Sequence, residues 1–312
     1  MTLKLTLTNA LKKSARNTRN RHHQKNLNLD LKDSKELESN DSTGTTEGLK
    51  HEEEAVALEG EIVVQNALGE AAAISGEKID VGLRVKPHEK FKEIYQVTLE
   101  DGAKRLGTRN LTPGMNVYGE RLVKFKSVEY RVWDAFRSKL AGAIIKGLQR
   151  VPIEPGFKVL YLGAASGTTP SHVSDIVGEG GHVYCVEFAQ RSLRDLVNNV
   201  AAFRPNISPL LEDARMPERY AMFIAGKVDT IYCDVAQPEQ AKLLADNADV
   251  FLKSNGWVML ACKSQSIDVT MSPNEVYQQE ARILKKRAFN VTEIVDLEPY
   301  DKAHAMIVAQ RK

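Results

Sequence analysis

The stretch KVLYLGAASGTT, residues 158–169, decides the fold. After Lys158, its first half is an apolar run, which is typical of a strand buried on both faces of a parallel sheet. Its second half is a turn of small residues that leads into a helix, so a ligand can approach the backbone and the free N–H groups of the helix start. Together they predict an α/β protein with a binding site at the carboxyl edge of its sheet.

The chain on both sides of this stretch alternates between helical and strand patterns. The predicted order is helix 138–148, strand 158–164, a helix from about 169, strand 182–188, helix 191–202, strands 207–211 and 228–235, helix 238–252, strand 256–263, helix 273–288, and strands 291–297 and 304–309. Because only residues 298–303 separate the last two strands, a parallel crossover is excluded and the last strand should run antiparallel. We therefore expect a mostly parallel sheet with helices on both faces.

Composition divides the chain into three parts. Residues 1–80 are polar and lack periodicity, which predicts a largely disordered tail. Its charges are all basic from Lys4 to Lys25, a pattern that fits an RNA-binding arm, a nuclear address or an organelle presequence. Residues 81–130 predict a small β-rich domain, and residues 131–312 hold the alternating pattern.

Within the small domain, short apolar runs at 93–99 and 121–128 predict strands. The turn signals Asp101-Gly102 and Pro113-Gly114 separate them. The aromatic cluster at 130–136 that follows is open to two interpretations, a contact with RNA or protein, or packing of the small domain against the large one.

Bulk properties exclude several classes of protein. No stretch approaches the roughly 20 apolar residues that span a bilayer, and the start has no secretory apolar core, so we expect an intracellular chain. The cysteines Cys185, Cys233 and Cys262 lie in apolar runs without metal-like spacing, which predicts buried thiols and no metal site. The formal net charge of +2 says little about partners.

Polar side chains stand at the ends of four successive predicted strands, where an adenosine-type ligand could lie. A carboxylate at the second strand end can accept both hydroxyls of a ribose. The first turn lacks the G-x-G-x-x-G spacing of dinucleotide loops, which disfavours a nicotinamide enzyme. An antiparallel last strand would bring His304 to the same edge. The strand-end residues are Thr168, Thr169, Glu187, Phe188, Asp213, Ala214, Asp234, Val235, Ala236 and Gln237.

Six segments resemble the fibrillarin family, the methyltransferase subunits of box C/D ribonucleoproteins. The likeness runs from about Asn110 to the C-terminus, while the Gly- and Arg-rich tail usual in eukaryotic fibrillarins is not found in this chain. The segments are FRSKL (136–140), YLGAASGTT (161–169), SHVSDIVG (171–178), EDAR (212–215), DVAQP (234–238) and LEPY (297–300).

The resemblance implies a Rossmann-like S-adenosylmethionine methyltransferase sheet and 2'-O-methylation of ribose in RNA, chiefly rRNA, during rRNA processing. It implies box C/D guide RNA, a Nop-family scaffold protein and a kink-turn-binding protein as partners, no membrane, and a place in the nucleus and nucleolus. The implied cofactor-binding residues are Gly163, Thr168, Thr169, Glu187, Phe188, Asp213, Ala214 and Asp234 to Gln237; the implied catalytic residues are Lys139, Asp234, Lys263 and His304.

These four catalytic residues make chemical sense, because a ribose hydroxyl must be held in line and lose its proton as the new bond forms. Lys263 near Asp234 could orient the hydroxyl and stabilise developing alkoxide. Lys139 and His304 could complete the pocket, with a lysine acting as base if burial and neighbouring cations depress its pKa. By itself, a lysine at a strand end is usually solvated and a lone histidine is usually a satisfied turn or core residue. The base stays unassigned among the four.

Two other functions remain open at this stage. The chain could methylate protein, as fibrillarins have been associated with a histone glutamine. It could also be a structural subunit whose cofactor site is vestigial, although the intact motifs disfavour this.

Overall fold

The computed structural model describes residues 82–312, all within one compact unit, Lys78–Lys312. The predicted tail, residues 1–80, lies outside the described residues. Two sheets, one small and one large, form the framework.

The small sheet has five antiparallel strands, in the order β1-β2-β3-β5-β4. Its strands are β1 (Arg84–Pro87), β2 (Ile94–Thr98), β3 (Lys104–Arg109), β4 (Leu122–Phe125) and β5 (Val128–Trp133). The predicted single strand at 121–128 is wrong, because Lys126 and Ser127 adopt φ of 47° and 65° and turn the chain into a hairpin. Lysine and serine are not typical of such a turn. Strand β5 also continues past the predicted domain boundary at residue 130.

The large sheet has seven strands, in the order β11-β12-β10-β9-β6-β7-β8. Only β12 runs against the others, pairing antiparallel with β10 and β11, as predicted. Its strands are β6 (Lys158–Leu162), β7 (His182–Glu187), β8 (Ile207–Leu211), β9 (Val228–Cys233), β10 (Leu252–Lys263), β11 (Phe289–Asp296) and β12 (His304–Arg311).

Helices cover both faces of the large sheet. They are α1 (Lys139–Ile145), α2 (Thr168–Val177), α3 (Gln190–Asn199), α4 (Gln240–Phe251), the short α5 (Ser264–Ile267) and α6 (Pro273–Lys286). Helix α1 ends earlier than predicted because Gly147 takes a φ of 94°, a left-handed conformation that terminates helices. Alternate side chains of β6 enter two separate apolar clusters, Val159 with α1, α2 and α3 on one face and Leu160 with α4 and α6 on the other.

A buried polar network joins the small sheet to α2. The Arg131 guanidinium lies 2.8 Å from the Asp175 carboxylate, and both side chains have no solvent exposure. Trp133 stacks on His172 with ring centroids 4.7 Å apart and is buried. The two interpretations of the aromatic cluster therefore apply to different residues. Trp133 packs the small sheet against the large domain, whereas Phe136 is 68% exposed and available for a contact.

The three cysteines are all buried, as predicted. Between residues 82 and 312, no group of histidine, cysteine or acidic side chains is arranged to hold a metal ion. In the same part of the chain, no helix has the length and apolar character needed to cross a membrane.

Candidate active site and cofactor pocket

The turn after β6 touches the end of β9 backbone to backbone. Gly163 has a φ of 81°, and a Cβ placed on it would lie 2.7 Å from the carbonyl oxygen of Asp234. The Asp234 amide in turn donates to the Leu162 carbonyl at 2.9 Å. Because β6 lies between β7 and β9, this contact marks the point where the strand order reverses and where such sheets bind ligands.

Glu187 ends β7 and faces this turn. Its side chain is buried, with Oε2 accepting from the Ala165 amide at 2.8 Å and Oε1 from the Ala189 amide at 2.9 Å. Each carboxylate oxygen keeps a second lone pair, so the fixed group can still accept from a diol. Phe188 follows and is 70% exposed, which leaves its ring available to a planar ligand at the rim.

The two threonines of the turn have different surroundings. Gly167 precedes α2 in a left-handed conformation, so no side chain caps the first N–H groups of this helix. Thr168 is half-buried at the turn, whereas the buried Thr169 hydroxyl donates to the Ser138 hydroxyl at 3.0 Å. Ser138 is the N-cap of α1. Thr169 therefore connects the turn to the helix that carries Lys139, a link that the sequence analysis missed.

The third strand end is engaged by a neighbouring arginine. Nε and Nη2 of Arg215 lie 3.0 and 2.6 Å from the Asp213 carboxylate. These hydrogen bonds hold the pKa of Asp213 below its ordinary value. The neighbouring Ala214 is buried, and its carbonyl accepts from the Asn247 amide at 2.8 Å. Arg215 thus orients the Asp213 carboxylate, which the sequence analysis assigned to the cofactor pocket.

The fourth strand end carries a cluster of charges centred on Asp234. Lys263 Nζ lies 3.0 Å from Asp234 Oδ1, and Lys139 Nζ lies 3.3 Å from the same atom. Val235 and Gln237 are half-buried beside it, and Ala236 is exposed. The three charged side chains retain 17–19% exposure. The ends of β9 and β10 and the start of α1 therefore bring three of the four predicted catalytic residues together.

His304 joins this cluster through Asp301. Its Nδ1 lies 3.1 Å from Asp301 Oδ1 and 2.7 Å from the Lys302 carbonyl oxygen. Asp301 Oδ2 lies 3.3 Å from Lys139 Nζ. Because a carbonyl only accepts, Nδ1 carries the hydrogen and Nε2 keeps a lone pair when the ring is neutral. Sequence reasoning missed Asp301, although it directly follows the LEPY segment at 297–300.

The carboxylates fix the protonation state of Lys139. Burial lowers the pKa of this lysine, but the charges of Asp234 and Asp301 raise it by more, so its pKa is above the ordinary value. The condition for a lysine base, a depressed pKa, is therefore not met at Lys139. The cluster offers fixed cations, bridging carboxylates and one imidazole nitrogen with a free lone pair.

Comparison with known proteins places these features in a family. The fibrillarin family model matches residues 85–312. A fibrillarin-like rRNA/tRNA 2'-O-methyltransferase of Pyrobaculum calidifontis is 57% identical over 230 residues, which are 73% of this chain and 98% of the relative. The two enzymes therefore align over nearly the whole length of the relative.

Solved structures give the same result. The crystal structure of Aeropyrum pernix fibrillarin with natively bound S-adenosyl-L-methionine has 48% identity and a TM-score of 0.68, covering 73% of this chain and 99% of that one. A chain of a fibrillarin/Nop5p complex has 39% identity and a TM-score of 0.63, covering 73% of this chain and all of that one (100%). This chain belongs to the fibrillarin family.

Proposed function

We propose that this chain is an S-adenosylmethionine-dependent methyltransferase that modifies the ribose 2'-hydroxyl of RNA, chiefly rRNA, selected by a box C/D guide RNA. One observation carries the proposal. Asp234 touches Gly163 of the ligand turn through its backbone and holds Lys139 and Lys263 through its carboxylate. A single residue thus links a ligand pocket to a cationic cluster suited to an alkoxide, in a chain whose relatives include named RNA 2'-O-methyltransferases.

The pocket at the carboxyl edge suits S-adenosylmethionine, which supplies an activated methyl group when bound. The Glu187 carboxylate would accept from the ribose hydroxyls, and the Phe188 ring would stack on the adenine. The uncapped start of α2 at Thr168 suits the methionine carboxylate. The close approach at Gly163 requires a residue without a side chain. Further residues assigned to this pocket are Thr169, Asp213, Ala214 and Asp234 to Gln237.

The side chains of the cluster have two roles toward the hydroxyl, stabilisation of charge and removal of its proton. Lys263 and Lys139, held by Asp234, stabilise the negative charge that develops on the 2'-oxygen. His304 Nε2 accepts the hydroxyl proton, while Asp301 and the Lys302 carbonyl orient the ring. With S-adenosylmethionine bound, the electron pair of the broken O–H bond would form the new bond to the methyl carbon, and the sulfonium sulfur would leave with the electron pair of the carbon–sulfur bond as a neutral thioether.

Methylation of protein and a purely structural role are weaker hypotheses. The named relative acts on rRNA and tRNA, and nothing in the comparisons favours a protein substrate. A vestigial site would not need both lysines on Asp234 together with an oriented His304.

The proposed partners are a Nop-family scaffold protein, in line with the fibrillarin/Nop5p complex, together with guide RNA and a kink-turn-binding protein. We propose nuclear and nucleolar localisation from the eukaryotic members of the family. The Pyrobaculum relative gives no support for it, because archaeal cells have no nucleus. Imaging of the tagged full-length chain tests it.

The substrate is tested by reconstituting the chain with guide RNA, scaffold partners and labelled S-adenosylmethionine. Two guide-paired RNAs are compared, one with ribose and one with 2'-deoxyribose at the target nucleotide. Label should enter only the ribose substrate. Equal labelling of both RNAs would contradict 2'-O-methylation, and labelling of protein instead would favour the protein hypothesis. Calorimetry with S-adenosylmethionine alone separately tests the pocket, and absence of binding would favour the structural role.

A further inference from the structure

A cavity of about 850 Å³ lies between the small sheet and the loop that joins β11 to β12. Its walls include residues of β3, the turn before β4, the 3-10 turn Ala135–Arg137, α1 and Pro299-Tyr300. No residue of the cofactor pocket or of the charged cluster lines it. We call this cavity the junction groove.

The junction groove presents an excess of positive charge. Lys104, Arg105 and Arg137 line it and are exposed. Within residues 82–312, no carboxylate lies within 4.0 Å of a charged nitrogen of these three side chains. A fourth cation, Arg121, is paired with Glu100 at 2.5 Å. Three cations therefore remain for an anionic occupant.

The two carboxylates that line the groove are already engaged. Glu120 is buried and lies 2.6 Å from the Arg131 guanidinium. Asp134 accepts from the Phe136 amide at 2.9 Å, which caps the 3-10 turn. Asp134 keeps its negative charge, but the three exposed cations outnumber it.

Aromatic rings lie among these cations. Phe136 is 68% exposed, and its ring centroid lies 5.0 Å from that of Tyr300 at an interplanar angle of 59°. Arg137 lies over the Tyr118 ring, 5.1 Å from its centroid. Exposed rings beside basic side chains are the combination that binds single-stranded nucleic acid, with bases on the rings and phosphates on the cations.

One wall of the groove adjoins the charged cluster. Tyr300 precedes Asp301, whose carboxylate contacts Lys139 at 3.3 Å. Tyr300 also packs closely on α1, because a Cβ placed on Gly142 would lie 3.2 Å from the Cβ of Tyr300. RNA that reaches the cluster therefore passes close to the groove.

We propose that unpaired RNA beyond the guide-paired segment, which holds the methylated nucleotide, lies in the junction groove, its bases against Phe136 and Tyr300 and its phosphates against Lys104, Arg105 and Arg137. The proposal rests on RNA being the substrate of the neighbouring site. A protein interface would instead concentrate apolar residues at its centre and charges at its rim, whereas here the cations and the rings are interleaved.

Two variants of the full-length chain test the proposal, Arg105→Glu and Phe136→Ala. The matched controls are Lys124→Glu, an exposed cation on β4 outside the groove, and Phe203→Ala, an exposed aromatic at the opposite edge of the large sheet. Binding of a fluorescein-labelled single-stranded RNA is measured over a series of salt concentrations. Arg105→Glu should weaken binding and reduce the salt slope by about 0.7, the value for one phosphate contact. Phe136→Ala should weaken binding about tenfold with the slope unchanged.

Kinetics with a guide-paired substrate that carries an unpaired flank give a second readout. Both variants should raise KM for this RNA with kcat unchanged, and shortening the flank should abolish the difference from wild type. Unchanged RNA affinity and KM in both variants would overturn the proposal. So would variants that lose a Nop-type scaffold protein but bind RNA normally, because the groove would then be a protein interface. Groove-dependent RNA binding by a wild type that transfers no methyl would support the groove and overturn the proposed reaction.

Discussion

Two aspartates of this protein each lie between two cations but differ in burial and in hydrogen bonding. Asp175 on α2 contacts Arg131 at 2.8 Å and Arg204 at 2.5 Å, and its side chain has no exposure. The Thr108 hydroxyl at 2.8 Å and the Leu111 amide at 3.1 Å complete four donors. The carboxylate is therefore fully hydrogen-bonded and closed off from solvent.

Asp234 is held much more loosely. Its Oδ1 accepts no well-aligned hydrogen bond from the described residues, although both lysine nitrogens lie within 3.3 Å. The side chain keeps 17% exposure. A buried, fully bonded carboxylate stabilises a junction, whereas a partly open one between two ammonium groups leaves these cations available to the charge that develops on a substrate.

The largest effect should follow from Asp175→Asn. Removal of this charge leaves Arg131 and Arg204 buried without their shared partner, which should reduce the free energy of unfolding by about 3–5 kcal/mol. Urea denaturation followed by circular dichroism measures it.

Asp249 provides the matched control, because it also contacts two arginines, Arg287 at 2.7 Å and Arg311 at 2.9 Å, but is 50% exposed. Asp249→Asn should reduce the free energy of unfolding by less than about 1 kcal/mol. Equal losses in the two variants would show that burial does not distinguish these sites.

Lys263→Met should affect chemistry and leave the fold intact. Loss of one cation beside the developing alkoxide should lower kcat by roughly 100- to 1000-fold, with the melting temperature close to that of wild type. Lys253→Met is the control, since Lys253 lies on the same strand and pairs with Asp229 at 2.5 Å, far from the cluster along β10. If both variants lose activity equally, the cluster has no special role.

Phe188→Ala sharpens the comparison on the cofactor side. Because this ring is 70% exposed, its loss should not destabilise the protein, but stacking worth roughly 1–3 kcal/mol would be lost, which weakens S-adenosylmethionine binding about tenfold. Calorimetry of this variant and of Phe203→Ala measures it. Unchanged affinity for Phe188→Ala would remove this residue from the proposed pocket.

The sealed region should also respond to acid. Burial, followed by the charges of Arg131 and Arg204, lowers the pKa of His172 well below its ordinary value of 6.5. Below pH 6.5, this histidine binds a proton in the unfolded chain but stays neutral in the folded chain. The contribution of the neutral, buried imidazole to the free energy of unfolding is therefore complete above pH 6.5 and is lost as the pH falls. The slope contributed by one such histidine is about 1.4 kcal/mol per pH unit.

His172→Gln should therefore flatten the dependence of unfolding free energy on pH below 6.5, the ordinary pKa of this residue. The partly exposed His88 serves as the control, and His88→Gln should leave most of the slope in place. A slope that is equally steep in wild type and His172→Gln would contradict the assignment to His172.

The large sheet was predictable because its local signals agree with one another. Buried strands give continuous apolar runs, and the short connection at 298–303 determined the direction of β12. The hairpin at Lys126 and Ser127 was not predictable, because its left-handed residues are neither glycine nor asparagine.

The site was predictable where a residue ends a strand and less so where it depends on a tertiary contact. Asp234, Lys139 and Lys263 were identified and lie together. Asp301 was missed because its importance lies in contacts with Lys139 and His304 that come from separate elements. The Arg215 contact of Asp213 is two residues away in sequence, yet nothing in the pattern distinguishes it from an exposed arginine.

The most direct test compares single-turnover methyl transfer to guide-paired RNA by wild type and Asp234→Asn, with S-adenosylmethionine affinity and melting temperature measured on the same samples. Asparagine keeps the size of the side chain and removes the charge that fixes both lysines. The rate should fall by roughly 100- to 10,000-fold, while the fold and cofactor binding are retained. A folded, cofactor-binding Asp234→Asn protein that transfers methyl groups at the wild-type rate would contradict the central role assigned to Asp234.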